Sequence, residues 1–407
     1  MWLAILFLGV VLTVLHALYF SARVTRALGH VFPRTAPWLR PLRIAYRVIA
    51  CSLPVLMVGY VVYALIAEPE TIGPPDSRIY DYLVEVPFWL LTIVSVQCSL
   101  VVIPLDLVHL GLARLGVAAG PRWRRRRHAL VLLVCAAFVI HVPARAAHDA
   151  SALQVRVHEV SSRTLPPGLD GFTIALVADM QADQYTGRER LAQMVDAANR
   201  ARPDLVLIAG DMITRPPAYI ELAAEQAARL RAPHGVLACI GDHDNFAYRD
   251  RARSLREVRA ALARRGVEMV DNDVREIRAG GATIAVILAT QNYVSSIDRD
   301  TTRRLLARAQ AADLQILLSH QPAARLIDDA RAGGVDLFLS GHTHGGQINF
   351  WLPFLDITPT RIENRYITGE YRLGDMTLVV SSGLGMSVAP FRYRAPATVD
   401  IIRLRRR

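Results

Sequence analysis

Five short apolar segments after residue 170 are each followed by residues that can bind a metal ion or transfer a proton. The segments span residues 172–178, 205–209, 236–240, 314–319 and 337–340, and they are followed by Asp179-Met180-Gln181, Gly210-Asp211, Gly241-Asp242-His243-Asp244, His320 and Gly341-His342-Thr343-His344. Carboxylates and imidazoles are common ligands of divalent metals in proteins. One Gly-Asp pair is typical of a turn, but five such segments in succession predict a metal centre.

The segments that carry these residues alternate with amphipathic stretches rich in Arg and Ala. Further strands are predicted at residues 155–160, 283–289 and 378–382, and helices at residues 188–201, 219–231, 250–265, 303–311 and 323–330. Strands that alternate with helices indicate a layered α/β domain. Because ligand sites in such domains gather at the carboxyl ends of the strands, we expect the polar residues to meet at one edge.

The N-terminal third of the chain has a different character. The 407 residues are 52% hydrophobic and carry a net charge of +11, and all the basic residues are Arg. Four apolar runs lie at about residues 2–20, 44–67, 87–108 and 129–147. Each is close to the ~20 residues that a helix needs to cross a bilayer. The pattern predicts about four transmembrane helices in residues 1–148 and a second domain in residues 149–407; a signal peptide for the first run, and buried helices of a soluble protein, are the alternatives.

The charges between the apolar runs predict an orientation. The first and third connections are rich in Arg, with residues 124–127 forming a run, whereas the second carries Glu68, Glu70, Asp76 and Asp81. Positively charged connections remain cytoplasmic. We therefore expect a multi-pass protein of the cell (inner) membrane with its C-terminal domain on the extracytoplasmic side. No aromatic platform interleaves with the Arg run, so no nucleic-acid partner is expected.

The order of the polar motifs resembles that of the calcineurin-like metallophosphoesterase family, whose motifs are D-x-H, G-D, G-N-H-D/E, H and G-H-x-H. The match covers roughly residues 170–400, and His320-Gln321-Pro322 with residues 341–347 is similar to the membrane-attached bacterial branch. The resemblance implies a four-layer αββα sandwich with a site for two divalent ions (Mn²⁺, Fe²⁺, Mg²⁺ or Zn²⁺). It also implies hydrolysis of a phosphoester or diphosphate bond by a metal-bridging hydroxide, with a small-molecule or lipid phosphate as substrate.

The resemblance assigns a role to each motif residue. Asp179, Gln181, Asp211 and His344 would hold the first ion, and Asp211, Asp242, His320 and His342 the second. His243 would contact the phosphate and protonate the leaving oxygen. Asp244 is interpreted either as orienting His243 or as a helix N-cap.

Two residues depart from the family pattern. Gln181 stands where His is usual, and Asp242 stands where Asn is usual. An amide oxygen in place of a nitrogen favours harder ions such as Mn²⁺ or Mg²⁺. A third carboxylate makes the site more negative, which favours a diester or diphosphate over a monoester dianion.

Several alternatives remain open at the level of sequence. The protein could be a lipid-linked diphosphate hydrolase that resembles the UDP-2,3-diacylglucosamine hydrolases, although those act on the cytoplasmic side. It could also be a catalytically impaired metal-binding sensor. Asn292 and Tyr293 are candidates to line the cleft, and the apolar loop 352–355 either packs over the core or dips toward the membrane or a lipid substrate.

Overall fold

The computed structural model describes residues 2–406 except 72, 74–75, 117–119, 163–164, 353–354 and 388, and no side chains are described for residues 2–6 and 162. The chain forms two compact units. One contains Met1–Glu68, Asp76–His148 and Phe350–Ile357, and the other contains Pro69–Pro75, Asp149–Asn349 and Thr358–Arg407. We call them the helical unit and the α/β unit.

The helical unit is built from long apolar helices. They are α1 (Trp2–Val31), α2 (Ala36–Ala67), the short α3 (Arg78–Tyr80), α4 (Val86–Arg114) and α5 (Pro121–Ser151). Within the described residues, four helical stretches are long and apolar enough to cross a membrane. They extend beyond the apolar runs of the sequence, because Arg is a good helix former and the Arg-rich connections continue the helices. A two-stranded hairpin of β10 (Phe350–Leu352) and β11 (Leu355–Ile357) also belongs to this unit.

The α/β unit contains two six-stranded mixed sheets. In spatial order, the first sheet consists of β1 (Leu153–Ser162), β14 (Ala397–Arg406), β2 (Thr173–Val177), β3 (Leu205–Ile208), β4 (Val236–Ala238) and β5 (Glu268–Met269). The second consists of β12 (Gly369–Leu373), β13 (Met376–Val380), β9 (Leu337–Ser340), β8 (Leu314–Ser319), β7 (Ala282–Ala289) and β6 (Asp273–Ala279). Strands β2, β3 and β4 are parallel to one another, as are β7, β8 and β9. Their carboxyl ends therefore lie at one edge of each sheet.

Successive side chains of each central strand point to opposite faces of the sheet. One face packs on the other sheet, and the opposite face packs on helices. Ile174 of β2 and Ile316 of β8 belong to one buried cluster that joins the facing sheets. The outer face of the first sheet packs on α6 (Arg188–Arg200), α7 (Ile220–Ala227) and α8 (Arg251–Ala263). The outer face of the second packs on α9 (Arg299–Ala309) and α10 (Ala324–Ala332). The unit is thus a four-layer αββα sandwich, which confirms the predicted fold class.

Candidate metal centre

The loops that follow β2, β3, β4, β8 and β9 carry the residues predicted to form a metal centre. Five of those residues have backbone φ angles in the left-handed region: Asp179 (49°), Gln181 (43°), Asp211 (56°), His342 (72°) and His344 (51°). Such a conformation is unfavourable for a residue with a side chain and is concentrated at functional sites in proteins. Each loop begins where a strand of one of the two sheets ends, so a sheet holds the first end of the loop in place.

Close approach of these loops requires glycine at two positions. A Cβ atom on Gly241 would lie 2.2 Å from the amide nitrogen and Oδ1 of Asp211, and one on Gly383 would lie 2.5 Å from Oδ2 of Asp179. Both distances are far shorter than a van der Waals contact. Glycine at these positions therefore allows backbone to pack directly against Asp179 and Asp211.

The structure brings the predicted ligands together in two groups. The first group consists of Asp179, Asp211 and His344, and the second of Asp242, His320 and His342. In each group one potential ligand atom per residue lies within 4.8 Å of the others.

The first group is deeply buried, and the neighbouring Gln181 has an unsatisfied polar atom within the described part of the chain. Both carboxylate oxygens of Asp179 accept a hydrogen bond from the backbone N–H of His342, at 3.1 and 3.0 Å, and His344 Nε2 lies 3.9 Å from Asp179 Oδ1. Gln181 is fully buried, and its Nε2 donates to Asp211 Oδ2 at 3.3 Å. Gln181 Oε1 has no hydrogen-bond partner among the described residues. A buried carbonyl oxygen without a partner is costly, and a cation bound by this group would satisfy it.

The second group is linked by charge-assisted hydrogen bonds. Asp242 Oδ2 lies 3.0 Å from His320 Nε2 and 2.9 Å from His342 Nδ1. Gln321 Nε2 lies 3.1 Å from both oxygens of Asp242. His320 Nδ1 lies 2.8 Å from the carbonyl oxygen of Ala209, which leaves Nε2 as its ligand atom. The same Nε2 lies 3.4 Å from Asp211 Oδ2, a carboxylate of the first group.

Burial and neighbouring charges shift the ionisation of both groups. Burial, reinforced by the charge of Asp211, raises the pKa of Asp179 to about 7. Burial alone would lower the pKa of His320, but Asp211 and Asp242 raise it well above its ordinary value. Burial and the nearby Arg392 guanidinium lower the pKa of His344 well below its ordinary value, so its imidazole is neutral.

His243 and Asp244 have partners other than each other. His243 donates its backbone N–H to Asp211 Oδ1 at 2.7 Å, and its Nδ1 lies 2.5 Å from the carbonyl oxygen of Thr214. The fully buried Asp244 carboxylate accepts three backbone N–H groups, those of Asp211, Met212 and Gly241, at 2.8–3.1 Å. Asp244 therefore ties together the loops that carry Asp211 and Asp242, whereas His243 is oriented by Thr214. The sequence analysis interpreted Asp244 as orienting His243 or as a helix N-cap, and the hydrogen bonds of its carboxylate are different from both.

Comparison with known proteins identifies this arrangement of motifs. A model of the calcineurin-like phosphoesterase family matches residues 172–346. An uncharacterized metallophosphoesterase of Bacillus subtilis is 30% identical over 258 residues, which cover 62% of this chain and 86% of that protein. The chain belongs to the calcineurin-like phosphoesterase family.

Other members of the family combine the domain with membrane segments. A transmembrane protein with a metallophosphoesterase domain from Danio rerio is 26% identical over 293 residues, 69% of this chain and 63% of that protein. A solved structure, the NAD nucleotidase of Haemophilus influenzae, aligns with 52% of this chain and 45% of its own at a TM-score of 0.37 and 17% identity. The chain thus spans less than two thirds of the length of these two proteins.

Two residues that contact the ligand groups were not found by sequence reasoning. Arg392 is 1% exposed, and its guanidinium donates to the carbonyl oxygens of Ser382, Gly385, His344 and Ala395. Gln321 contacts both oxygens of Asp242, as described above. An isolated Arg in a loop carries no sequence signal, but Gln321 lies next to His320 in the His-Gln-Pro motif and could have been found there. Asn292 and Tyr293, predicted to line the cleft, lie beside the second group.

Proposed function

We propose that the protein is a membrane-anchored phosphoesterase that uses two divalent metal ions. The observation that carries the proposal is the pair of ligand groups at one edge of the sandwich, in a chain with four apolar helices. Two adjacent cation sites are the arrangement by which metal-dependent hydrolases act on phosphoesters.

The ligand groups fit two divalent ions. Asp179, Gln181, Asp211 and His344 would hold the first ion, and Gln181 would contribute Oε1, which has no hydrogen-bond partner among the described residues. Asp242, His320 and His342 would hold the second, with Asp211 shared between the two. When bound, such ions supply Lewis acidity and a hydrolytic nucleophile at neutral pH. The oxygen-rich first group favours Mn²⁺ or Mg²⁺ over softer ions.

The chain's own residues complete the chemistry. Because His243 Nδ1 is held by the Thr214 carbonyl, Nε2 is the atom that would contact a phosphoryl oxygen and protonate the leaving oxygen. The Asp244 carboxylate accepts three backbone N–H groups from the loops that carry Asp211 and Asp242, and these hydrogen bonds fix the distance between the two ligand groups. The three carboxylates Asp179, Asp211 and Asp242 favour a phosphodiester or diphosphate over a monoester dianion.

A second candidate, hydrolysis of a lipid-linked phosphoester, is favoured by the β10–β11 hairpin of the helical unit. Gln97 on α4 is fully buried within residues 86–105, which carry no charge. Its side-chain amide pairs with the backbone of Trp351, with Nε2 2.5 Å from the carbonyl oxygen and Oε1 2.9 Å from the amide nitrogen. A polar side chain in an apolar helix needs such a partner. The hairpin begins six residues after His344, so the metal-binding loop continues directly into an element of the helical unit.

The orientation remains part of the proposal. The Arg-rich first and third connections favour a cytoplasmic position for themselves and therefore an extracytoplasmic position for the α/β unit. Pro69–Pro75 of the second connection belongs to the α/β unit, where the Glu70 carbonyl accepts the N–H of Arg249 at 2.8 Å. This contact supports a location of the second connection and the C-terminal domain on the same side of the membrane. A reporter fused after Arg407 tests the orientation, and a cytoplasmic signal would overturn it.

The enzymatic proposal is tested with the full chain purified in detergent and loaded with Mn²⁺. We expect hydrolysis of bis(p-nitrophenyl) phosphate to exceed that of p-nitrophenyl phosphate. His243→Ala should lower kcat by about 100-fold or more, as for loss of a general acid. If the wild type binds Mn²⁺ without hydrolysing either compound or a diphosphate, the metal-binding sensor is favoured instead.

The lipid candidate is tested with two diesters that share the reacting group, hexadecyl p-nitrophenyl phosphate in micelles and its ethyl analogue. A bilayer-resident substrate predicts a higher kcat/KM for the hexadecyl compound. Gln97→Leu should reduce that preference and leave the rate with the ethyl compound unchanged. Equal kcat/KM values for the two compounds in the wild type would exclude the lipid candidate and leave the phosphoesterase proposal intact.

A further inference from the structure

The loop after β7 is built to hold one aromatic side chain beside the second ligand group. Asn292 is 4% exposed, and its Oδ1 accepts the backbone N–H groups of Val294 and Ser295 at 2.9 and 2.7 Å. Its Nδ2 donates to the carbonyl oxygen of Gly241 at 3.2 Å. These bonds fix the turn at Tyr293 to the residue that precedes Asp242.

Tyr293 contacts two members of the second group. Its backbone N–H donates to Asp242 Oδ1 at 2.5 Å. Its hydroxyl oxygen lies 3.4 Å from His342 Nε2, and its ring meets the imidazole edge to face with centroids 5.3 Å apart. The His342 side chain is 11% exposed, whereas that of His320 is fully buried. His342 is thus the histidine of the group that packing constrains least.

A carboxylate completes the contact. The Tyr293 hydroxyl donates to Glu363 Oε2 at 2.7 Å. Because the Tyr293 hydroxyl directs its hydrogen at Glu363, the lone pairs of the phenol oxygen are available to accept a hydrogen bond from His342. When Nδ1 of His342 serves as the ligand atom, its Nε2 carries the proton and donates it to that oxygen. The direction of both hydrogen bonds is therefore set by Glu363.

We propose that Tyr293 and Glu363 are positioning residues for His342, which orient its ring and increase its ligand strength through a chain of hydrogen bonds from Glu363 through Tyr293 to Nε2. Partners of this kind fix the tautomer and orientation of metal-binding histidines, and their removal typically weakens metal affinity 10- to 100-fold. The proposal rests on the proposed metal-binding function of the second group. It adds two residues that the family motifs do not contain.

The experiment measures Mn²⁺ binding to the full chain in detergent, by titration calorimetry and by Mn²⁺ electron paramagnetic resonance, without substrate. We expect Tyr293→Phe to weaken the second Mn²⁺ by about tenfold or more and to leave the first unchanged. Glu363→Gln should have a smaller effect in the same direction, and the double variant should resemble Tyr293→Phe alone. Glu363 is exposed, so this variant is expected to fold even if Tyr293→Phe does not.

Tyr248→Phe is the matched control, because the Tyr248 hydroxyl also donates to a carboxylate, Glu257, at 2.8 Å and neither residue belongs to a ligand group. It should bind both ions as the wild type does. Second-site affinity in Tyr293→Phe and Glu363→Gln within twofold of wild type would overturn the proposal, as would a wild type that binds one Mn²⁺. A wild type that binds two ions and hydrolyses nothing, with the second weakened in Tyr293→Phe, would overturn the enzymatic proposal and support this one.

Discussion

The two ligand groups of the α/β unit differ in how their charges are balanced before any ion binds. In the first, Asp179 has a pKa raised by burial, and Gln181 Oε1 has no partner among the described residues. In the second, Asp242 is surrounded by donors from His320, His342, Gln321 and the backbone of Tyr293. Burial opposes ionisation of Asp242, but His320 and His342 outweigh it and lower its pKa.

This difference predicts unequal affinities. A cation in the first group relieves an electrostatic cost and satisfies an unpaired oxygen. Binding of a cation displaces a proton in either group, from Asp179 in the first and from His320 in the second. In the second group the cation must also displace the hydrogen bonds between Asp242 and two histidines. We therefore expect the first group to bind the tighter ion, and each experiment below changes one side of the comparison.

The largest effect should come from Asp211, whose carboxylate lies between the groups. Asp211→Asn retains the shape but removes the charge, so we expect activity to fall on the order of 10³-fold, about 4 kcal/mol of transition-state stabilisation. Mn²⁺ titration should show fewer than two ions bound. Retention of two ions with wild-type affinity would contradict a shared role for Asp211.

Asp244 should have the next largest effect, on stability rather than on a single ion. Asp244→Ala leaves three buried backbone N–H groups without their acceptor. We expect a loss of roughly 2–4 kcal/mol, seen as a lower Tm of the metal-free chain. Asp250→Ala provides the comparison, because Asp250 caps α8 through one bond to the Arg253 N–H and should cost about 1 kcal/mol. Equal Tm changes for the two variants would argue against the role given to Asp244.

The ionisation of the first group can be tested through pH. The folded pKa of Asp179 lies above its ordinary value of 3.8, at about 7, so the metal-free native chain holds a proton that the unfolded chain loses. Stability from this group is present below pH 4 and is lost as the pH rises toward 7. The side chain in Asp179→Asn cannot titrate. With a chelator present, the Tm of this variant minus that of the wild type should therefore increase from about pH 4 to about pH 7. A constant difference would show that Asp179 is ionised in the native state.

Much of this arrangement was predictable because the strands are short, continuous and apolar. Segments 314–319 and 337–340 coincide with β8 and β9, and the motif after each strand lies at the predicted edge. Strand β14 was missed because its Arg residues alternate with buried apolar ones and resemble a solvated tail; it lies between β1 and β2. Side-chain bonds to distant backbone, such as those of Asp244 and Arg392, depend on how loops meet and leave no periodic pattern.

Asp242 allows the smallest and most selective test of the comparison. Asp242→Asn restores the residue usual in the family and removes one negative charge, while its side-chain oxygen can still accept from His320 or His342. We expect weaker binding of the second ion, because a neutral amide attracts a cation less than a carboxylate does.

The less negative site should also tolerate a monoester dianion better, shifting the monoester-to-diester ratio of kcat/KM by about tenfold, or 1.4 kcal/mol. Parallel measurement of p-nitrophenyl phosphate and bis(p-nitrophenyl) phosphate checks this shift. If the wild type already prefers the monoester strongly and the variant leaves the ratio unchanged, the third carboxylate does not set substrate charge preference, and the difference between the groups concerns metal affinity alone.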